Sequence, residues 1–352
     1  MIFIYNLLFI FALGITFGAK LQRKKYKKLY LSLCFFQMFL IQSLRASYVG
    51  SDTIQYIDIF NLFSDNSVYA YMLTHYEPGV QALIKVLYSA GLNAQFLLAS
   101  MSAIIMIGFA LYIYHNSDNI LISTFLFASM FYPNSFNVSR QYIAMSIALN
   151  FFYFLNKREY VKGILLVLFA SLFHTSALLF LIPICVTMIN GVNITKKALI
   201  FFSIFVVLFG NFFSYKILEN IHNSYYISPK YVKDNLFSLT TFLTFIYATI
   251  FCYYSSICNN LKNKSILNLY ACISLVNFYF GVLYLSNEIF SRFIEMLNTH
   301  LIISVPFIES RINNKYIPII KLFFWLVPVI WMLLMIYNSN AGISTYGLFL
   351  FE

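Results

Sequence analysis

The sequence predicts an all-α polytopic integral membrane protein with about twelve transmembrane helices. Three observations carry this. Hydrophobic residues make up 61% of the 352 residues and charged residues only 10%, at a mean hydropathy of +0.77, a balance foreign to a soluble domain of this size. Apolar runs near the length of a bilayer span recur from end to end. Basic residues gather between these runs, where loops would hold them at a membrane surface.

The clearest orientation signal is "KLQRKKYKK", Lys20 to Lys28, with six basic residues between the first two runs. The positive-inside rule places it in the cytoplasm and the first residue outside. The first run has no basic segment before it and is followed by a second span, so it reads as a retained helix and not a cleaved signal. Spans are expected near 2–19, 29–46, 92–114, 118–135 and 140–156, the last descending to "NKREYVK". The stretch 159–190 is long for one crossing and short for two. Two crossings, 159–173 and 175–190 with a break at "FHTS", put every later basic loop inside. Spans near 197–214, 238–256, 265–285, 289–308 and 316–337 complete the set.

Sixteen of the 23 Lys and Arg residues then lie inside, which accounts for the net charge of +11 without nucleic acid. Seven do not: Arg45, Lys85, Arg140, Lys216, Lys230, Lys233 and Arg292. Each outer arginine stands at the end of a span. Most acids share that side, among them Asp52, Asp58, Asp65, Glu77, Asp234 and Glu288. The five cysteines and the remaining histidines have no metal-ligand spacing, and no metal or cofactor is expected.

The outer layer is where chemistry is expected. Pro78 suits the first position of a helix, and residues 78–90 form a short amphipathic helix at the outer interface. Ser139 is placed to cap the span that Arg140 opens. Thr175 or Ser176 could cap the next descending span beside His174. Helix N-termini and arginines on one face favour an anion, and guanidinium can grip phosphate in a bidentate way. His174, Asp52 and Glu77 are the candidates for proton transfer, and the residue pattern does not choose among them. Each has a plainer reading too: Arg45 and Arg292 as interfacial anchors, His174 as a polar helix break, Asp52 as a turn residue and Glu77 as a helix start.

In order along the chain these motifs are "LRASYVGSDTIQY", "YEPGVQ", "SRQYIA", "FHTSA" and "NEIFSRF". Together they resemble the EpsG-like group of Wzy-type surface-polysaccharide (O-antigen) polymerases. The likeness rests on Arg45, Gly50, Asp52 and Tyr56; Glu77 and Gly79; Arg140, Gln141 and Ala144; Phe173, His174, Ser176 and Ala177; and Arg292 with Glu288 near it. It covers about 43–295, and residues after about 310 add nothing. Ile54 and Gln55 follow Asp52 closely, where the group often has an aromatic residue.

The resemblance implies a GT-C-like glycosyltransferase of one transmembrane domain, 1–352, in the bacterial inner membrane. It would join undecaprenyl-pyrophosphate-linked repeat units on the periplasmic side without a metal. Loops 47–91 and 215–237 would cover the site. Arg45, Arg140, Gln141, Arg292, Tyr56 and Glu288 would bind donor and acceptor, and a chain-length regulator protein is an expected partner besides membrane lipid. The main competing reading is a flippase or transporter of lipid-linked sugars. Such proteins usually set ionisable residues near the midplane and have paired halves, neither of which the sequence shows. A membrane acyltransferase would leave three outer arginines unexplained, and a glycan ligase would differ only in acceptor.

Overall fold

The computed structural model describes residues 1–188, 237–311, 317–338, 342–343 and 346–348. They are helical almost throughout and group into two compact units, Met1–Phe180 with Val305–Glu352, and Leu181–Ser304. Five helices are long and apolar enough to cross a bilayer: Ile2–Gln22, Ala94–Asn116, Leu239–Ile257, Leu261–Leu283 and Ile317–Tyr337. The protein is therefore a multi-pass membrane protein. The expected span 197–214 and the loop 215–237, apart from its last residue, lie outside the described residues.

In the first unit, α1 (Ile2–Phe17) and α2 (Lys24–Ser43) are joined by the basic turn. Next come three short helices, α3 (Thr53–Asn61), α4 (Asn66–His75) and α5 (Pro78–Ser89). Residues 47–91, expected as a covering loop, are thus helical over most of their length. Asp65 caps α4 by accepting from Ser67 N at 2.7 Å and Val68 N at 3.4 Å. The Ser67 hydroxyl bond to this exposed carboxylate is the main cause that holds it below its ordinary range. In α5, Pro78 takes the first turn as expected, and Val80 and Ile84 form its buried stripe.

The long α6 (Ala94–Asn116) runs antiparallel to α2. Gln95 Nε2 donates to Ser43 O at one end, and the Lys28 ammonium lies 5.8 Å from the Tyr114 ring at the other. The expected span 118–135 is broken. It contains α7 (Ile120–Leu126), a π turn (Phe127–Phe131) and, after Pro133, a 3₁₀ turn (Asn134–Phe136). Pro133 lacks an N–H to extend the ladder. The span 140–156 is likewise two helices, α8 (Ser139–Ala148) and α9 (Phe151–Asn156). Asn150 stands at their junction, its amide donating to Gly108 O at 3.1 Å and Ser146 O at 2.8 Å. Ser139 is not the expected cap: it is the first residue of α8 and donates to Ser135 O at 3.0 Å.

Helix α10 (Tyr160–Ser171) climbs about 18 Å at 1.5 Å per residue, short of a full hydrocarbon core. The chain turns back at Leu172–His174 into a 3₁₀ helix, Thr175–Phe180, whose Phe180 ring reaches Phe151 at 6.0 Å. The break expected at "FHTS" is therefore present.

These contacts sort the polar residues of the first unit to its two ends. One end carries Lys24–Lys28, Asn116 bonded to Asn156, and Arg311, which grips Asp118 in a bidentate pair at 2.6 and 2.7 Å. The other carries Phe3 against Phe136, the α2–α6 Ser43–Gln95 bond, and the motifs of the candidate site.

The second unit contains α11 (Leu181–Met188) and a helix hairpin, α12 (Leu239–Ile257) and α13 (Leu261–Leu283). Then come α14 (Phe290–Asn298) and the start of α15 (Leu301–Arg311). The expected span 289–308 breaks at Thr299–His300, where buried polar pairs replace lost helical bonds. Asn277 Nδ2 donates to Asn298 Oδ1 at 2.7 Å, and His300 Nε2 meets Ser274 Oγ at 2.9 Å. His300 Nδ1 donates to Leu297 O at 2.7 Å, so this histidine is a structural pin. Helix α16 (Ile317–Tyr337) belongs to the first unit.

Candidate functional site

Arg140, in the first turn of α8, is the centre. Its Nη1 donates to Glu77 Oε2 at 2.8 Å and to His75 O at 3.3 Å. The guanidinium lies 4.3 Å from the Tyr76 ring, and the Tyr56 hydroxyl hydrogen-bonds it. The ion pair is only part-buried, with the two side chains 25% and 16% exposed, so it borders open space. Burial raises the Tyr56 phenol above its ordinary range and keeps it protonated beside the arginine.

Tyr76 gave no sequence signal among 28 tyrosines. Its ring packs edge-on against Tyr56 at 6.4 Å, and its buried hydroxyl finds no hydrogen-bond partner among the described residues. Gln81, one turn into α5, holds the Tyr76 carbonyl from Nε2 at 2.5 Å.

Gly79 explains why Glu77 and His174 belong to one site. Its N–H donates to Leu172 O at 2.7 Å. A Cβ there would stand 2.8 Å from that oxygen and 3.2 Å from Phe173 Cδ1. The first turn of α5 thus docks directly on the turn that carries His174. Gly79→Ala is expected to destabilise the protein by about 1–3 kcal/mol, because the obstructing atom is backbone and cannot swing away. A thermal shift that is neutral or upward, as for an unobstructed helical Gly→Ala, would show that this docking is loose.

His174 is half-buried. Its Nδ1 lies 2.6 Å from Ser176 Oγ and accepts from the Ser176 N–H at 3.3 Å. A backbone N–H can only donate, so Nδ1 is the accepting nitrogen and the ring proton lies on Nε2. Nε2 is therefore the donor nitrogen of this ring.

Asp52 opens α3 and is half-buried. The Ser51 hydroxyl approaches its Oδ1 at 3.1 Å and also contacts Asn137 Oδ1, three residues before Arg140. Gly50, at φ +91°, brings this loop against the 3₁₀ turn: a Cβ would lie 2.5 Å from Phe136 O. Arg45 sits beneath, only 1% exposed. Its Nε donates to Thr53 Oγ1 at 3.1 Å and Nη1 to Gln42 O at 3.2 Å, and its plane faces the Phe136 ring. Gln141 is buried in the α8 core face.

Residues 342–343 and 346–348, which carry no motif, are also part of this end. Ala46 N donates to Gly347 O at 2.8 Å, and Gly50 N to Gly342 O at 3.1 Å. Arg45 and Leu348 form an antiparallel bridge, and Tyr346 donates its hydroxyl to Ile41 O at 2.7 Å. Arg292 and Glu288 belong to the second unit, both exposed on or beside α14. Among the described residues no cluster of His, Cys, Asp and Glu could hold a metal ion.

The fold and this site define a multi-pass membrane protein with a part-buried Arg140–Glu77 pair, two tyrosines and the His174 turn gathered at one end of its first unit. A family model described as the EpsG family matches residues 28–349, nearly the whole chain and including the segment 342–348. The chain belongs to the EpsG family, as the order of its motifs suggested. No curated protein and no solved structure matches it significantly.

Proposed function

We propose that the protein is a polysaccharide polymerase of the inner membrane whose site faces the periplasm. It would transfer a growing glycan from undecaprenyl pyrophosphate to a lipid-linked repeat unit. The observation that carries this is the meeting of Arg140, Glu77, Tyr56 and Tyr76 with the His174 turn, at the end of the unit opposite the basic cluster. Family membership supports it independently.

In this reading the acceptor hydroxyl oxygen attacks the anomeric carbon. A glycosidic C–O bond forms, the C–O bond to pyrophosphate breaks, and lipid pyrophosphate leaves with the electron pair. Negative charge grows on the leaving group, where fixed donors act most strongly. Arg140, the Tyr76 hydroxyl and His174 Nε2–H supply those donors. The hydroxyl proton needs a base. Asp52, in the loop whose Ser51 hydroxyl meets both its Oδ1 and Asn137, is the proposed acceptor of that proton. Arg45, buried beneath the loop, orients Asp52 through Thr53 and does not touch substrate. Gln141 supports α8 from the core.

The test is a gel of surface glycan from a host lacking its own polymerase, complemented with Arg140→Lys or His174→Ala, with membrane abundance checked by blot. Both variants are expected to leave a single repeat unit. Full-length ladders from both would remove the site, and absence of any surface repeat unit would favour a flippase.

A further inference from the structure

A groove of about 850 Å³ runs between α2 and α6, away from the Arg140 site and towards the basic end of the first unit. Phe36, Phe39, Ile107 and Leu111 wall it, and Phe36, Ile107 and Leu111 are exposed towards the space that surrounding lipid fills. Lys28 and His115 close the basic end. His115 packs on Tyr153 at 4.6 Å, the Lys157 ammonium lies 4.0 Å from that same ring, and Lys24 lies within electrostatic range of His115. An apolar trough therefore ends at Lys28 and His115, with Lys24 and Lys157 within electrostatic range of the histidine.

The dimensions match one lipid leaflet. From Lys28 to Phe39 the helix rises about 16 Å at 1.5 Å per residue. Half of a hydrocarbon core of about 30 Å is nearly the same length. We propose that this groove is a binding site for an anionic glycerophospholipid of the leaflet at the basic end. One acyl chain lies along Phe36, Phe39 and Ile107, and the phosphate sits at Lys28 and His115. The cations give the preference for a net-negative headgroup, since a zwitterionic one brings its own positive charge. A second copy of this chain is the rival occupant, but the cations at the groove's end would then have no stated partner.

The experiment is native mass spectrometry of the full-length protein in detergent, titrated with phosphatidylglycerol or with phosphatidylcholine. Phosphatidylglycerol adducts are expected to form at about one-fifth the lipid concentration or less. Lys28→Ala should weaken them about fivefold. Lys25→Ala, equally basic but outside the groove, should leave them unchanged. Ile107→Trp, on an exposed wall position, should weaken them by filling the trough. Equal binding of the two lipids, or equal losses in Lys25→Ala and Lys28→Ala, would overturn the proposal in favour of diffuse surface charge. A dimer that sheds lipid and dissociates with Ile107→Trp would assign the groove to a second copy.

Discussion

Exchanging the charges, Arg140→Glu with Glu77→Arg, is expected to return the protein to wild-type abundance in the membrane and leave it without polymer. Each single change sets like charges face to face in a part-buried site. Glu77→Arg places two guanidiniums together, and Arg140→Glu two carboxylates. A hydrogen bond to a charged group contributes about 1.5–3 kcal/mol, and losing it should lower abundance or thermal stability in both singles. The double exchange restores an opposite pair and much of that stability. Activity should not follow. The guanidinium belongs on α8 because Tyr76 stacks on it and Tyr56 bonds it there. Removing one fixed donor from a developing anion typically costs about 10²–10³ in rate. A single-repeat band from the exchanged protein, at restored abundance, would separate the two roles. Polymer from the double exchange would mean that the pair is structural only.

Much of this end of the molecule was legible because its parts are motifs of charge and of glycine. Arg140, Glu77, Gly79 and His174 stand far apart in the chain, and their sorting to one face together with the family resemblance placed them in one layer. The structure supplies the reason, since Gly79 has no Cβ and lets two of the motifs touch. The helix breaks were less legible. The stretches 118–135, 140–156 and 289–308 are long and mostly apolar, and hydropathy does not register a π turn, an Asn150 amide or a buried Ser274–His300 pair that interrupts a helix. The burial of Arg45 at its span end has no signal in the sequence, which offers it equally as a substrate donor or an interfacial anchor. Phe136, Thr53 and the Gln42 carbonyl come from different segments to bury it, and no local pattern foretells that. Residues 342–343 and 346–348 carry no sequence signal for another reason: apart from the Tyr346 hydroxyl, their contacts here run through backbone groups, which leave no mark in side-chain chemistry.

That last segment leads to the second large effect. Gly50→Ala is expected to abolish polymerisation, because Gly50 is where the Asp52 loop is held from both sides. Its N–H donates to Gly342 O, and its α-carbon faces Phe136 O so closely that a Cβ would approach to 2.5 Å. The residue also sits at φ +91°, where an L-residue costs about 1–2 kcal/mol. Overlap with a backbone oxygen adds about 1–3 kcal/mol more unless the loop moves. Movement is the cheaper course, and it carries Asp52 and Ser51 away from Asn137 and Arg140. The expected result is a protein present in the membrane, with reduced thermal stability and a single repeat unit on the gel. Tyr346→Phe tests the same hold from the far side without touching the loop. It removes only the bond to Ile41 O, so it should lower polymer yield by a fewfold at unchanged abundance. If Gly50→Ala polymerises normally while stability falls, the loop tolerates displacement and Asp52 is not the base. If Tyr346→Phe alone is silent, the backbone bonds at Ala46 and Gly50 suffice to hold the segment.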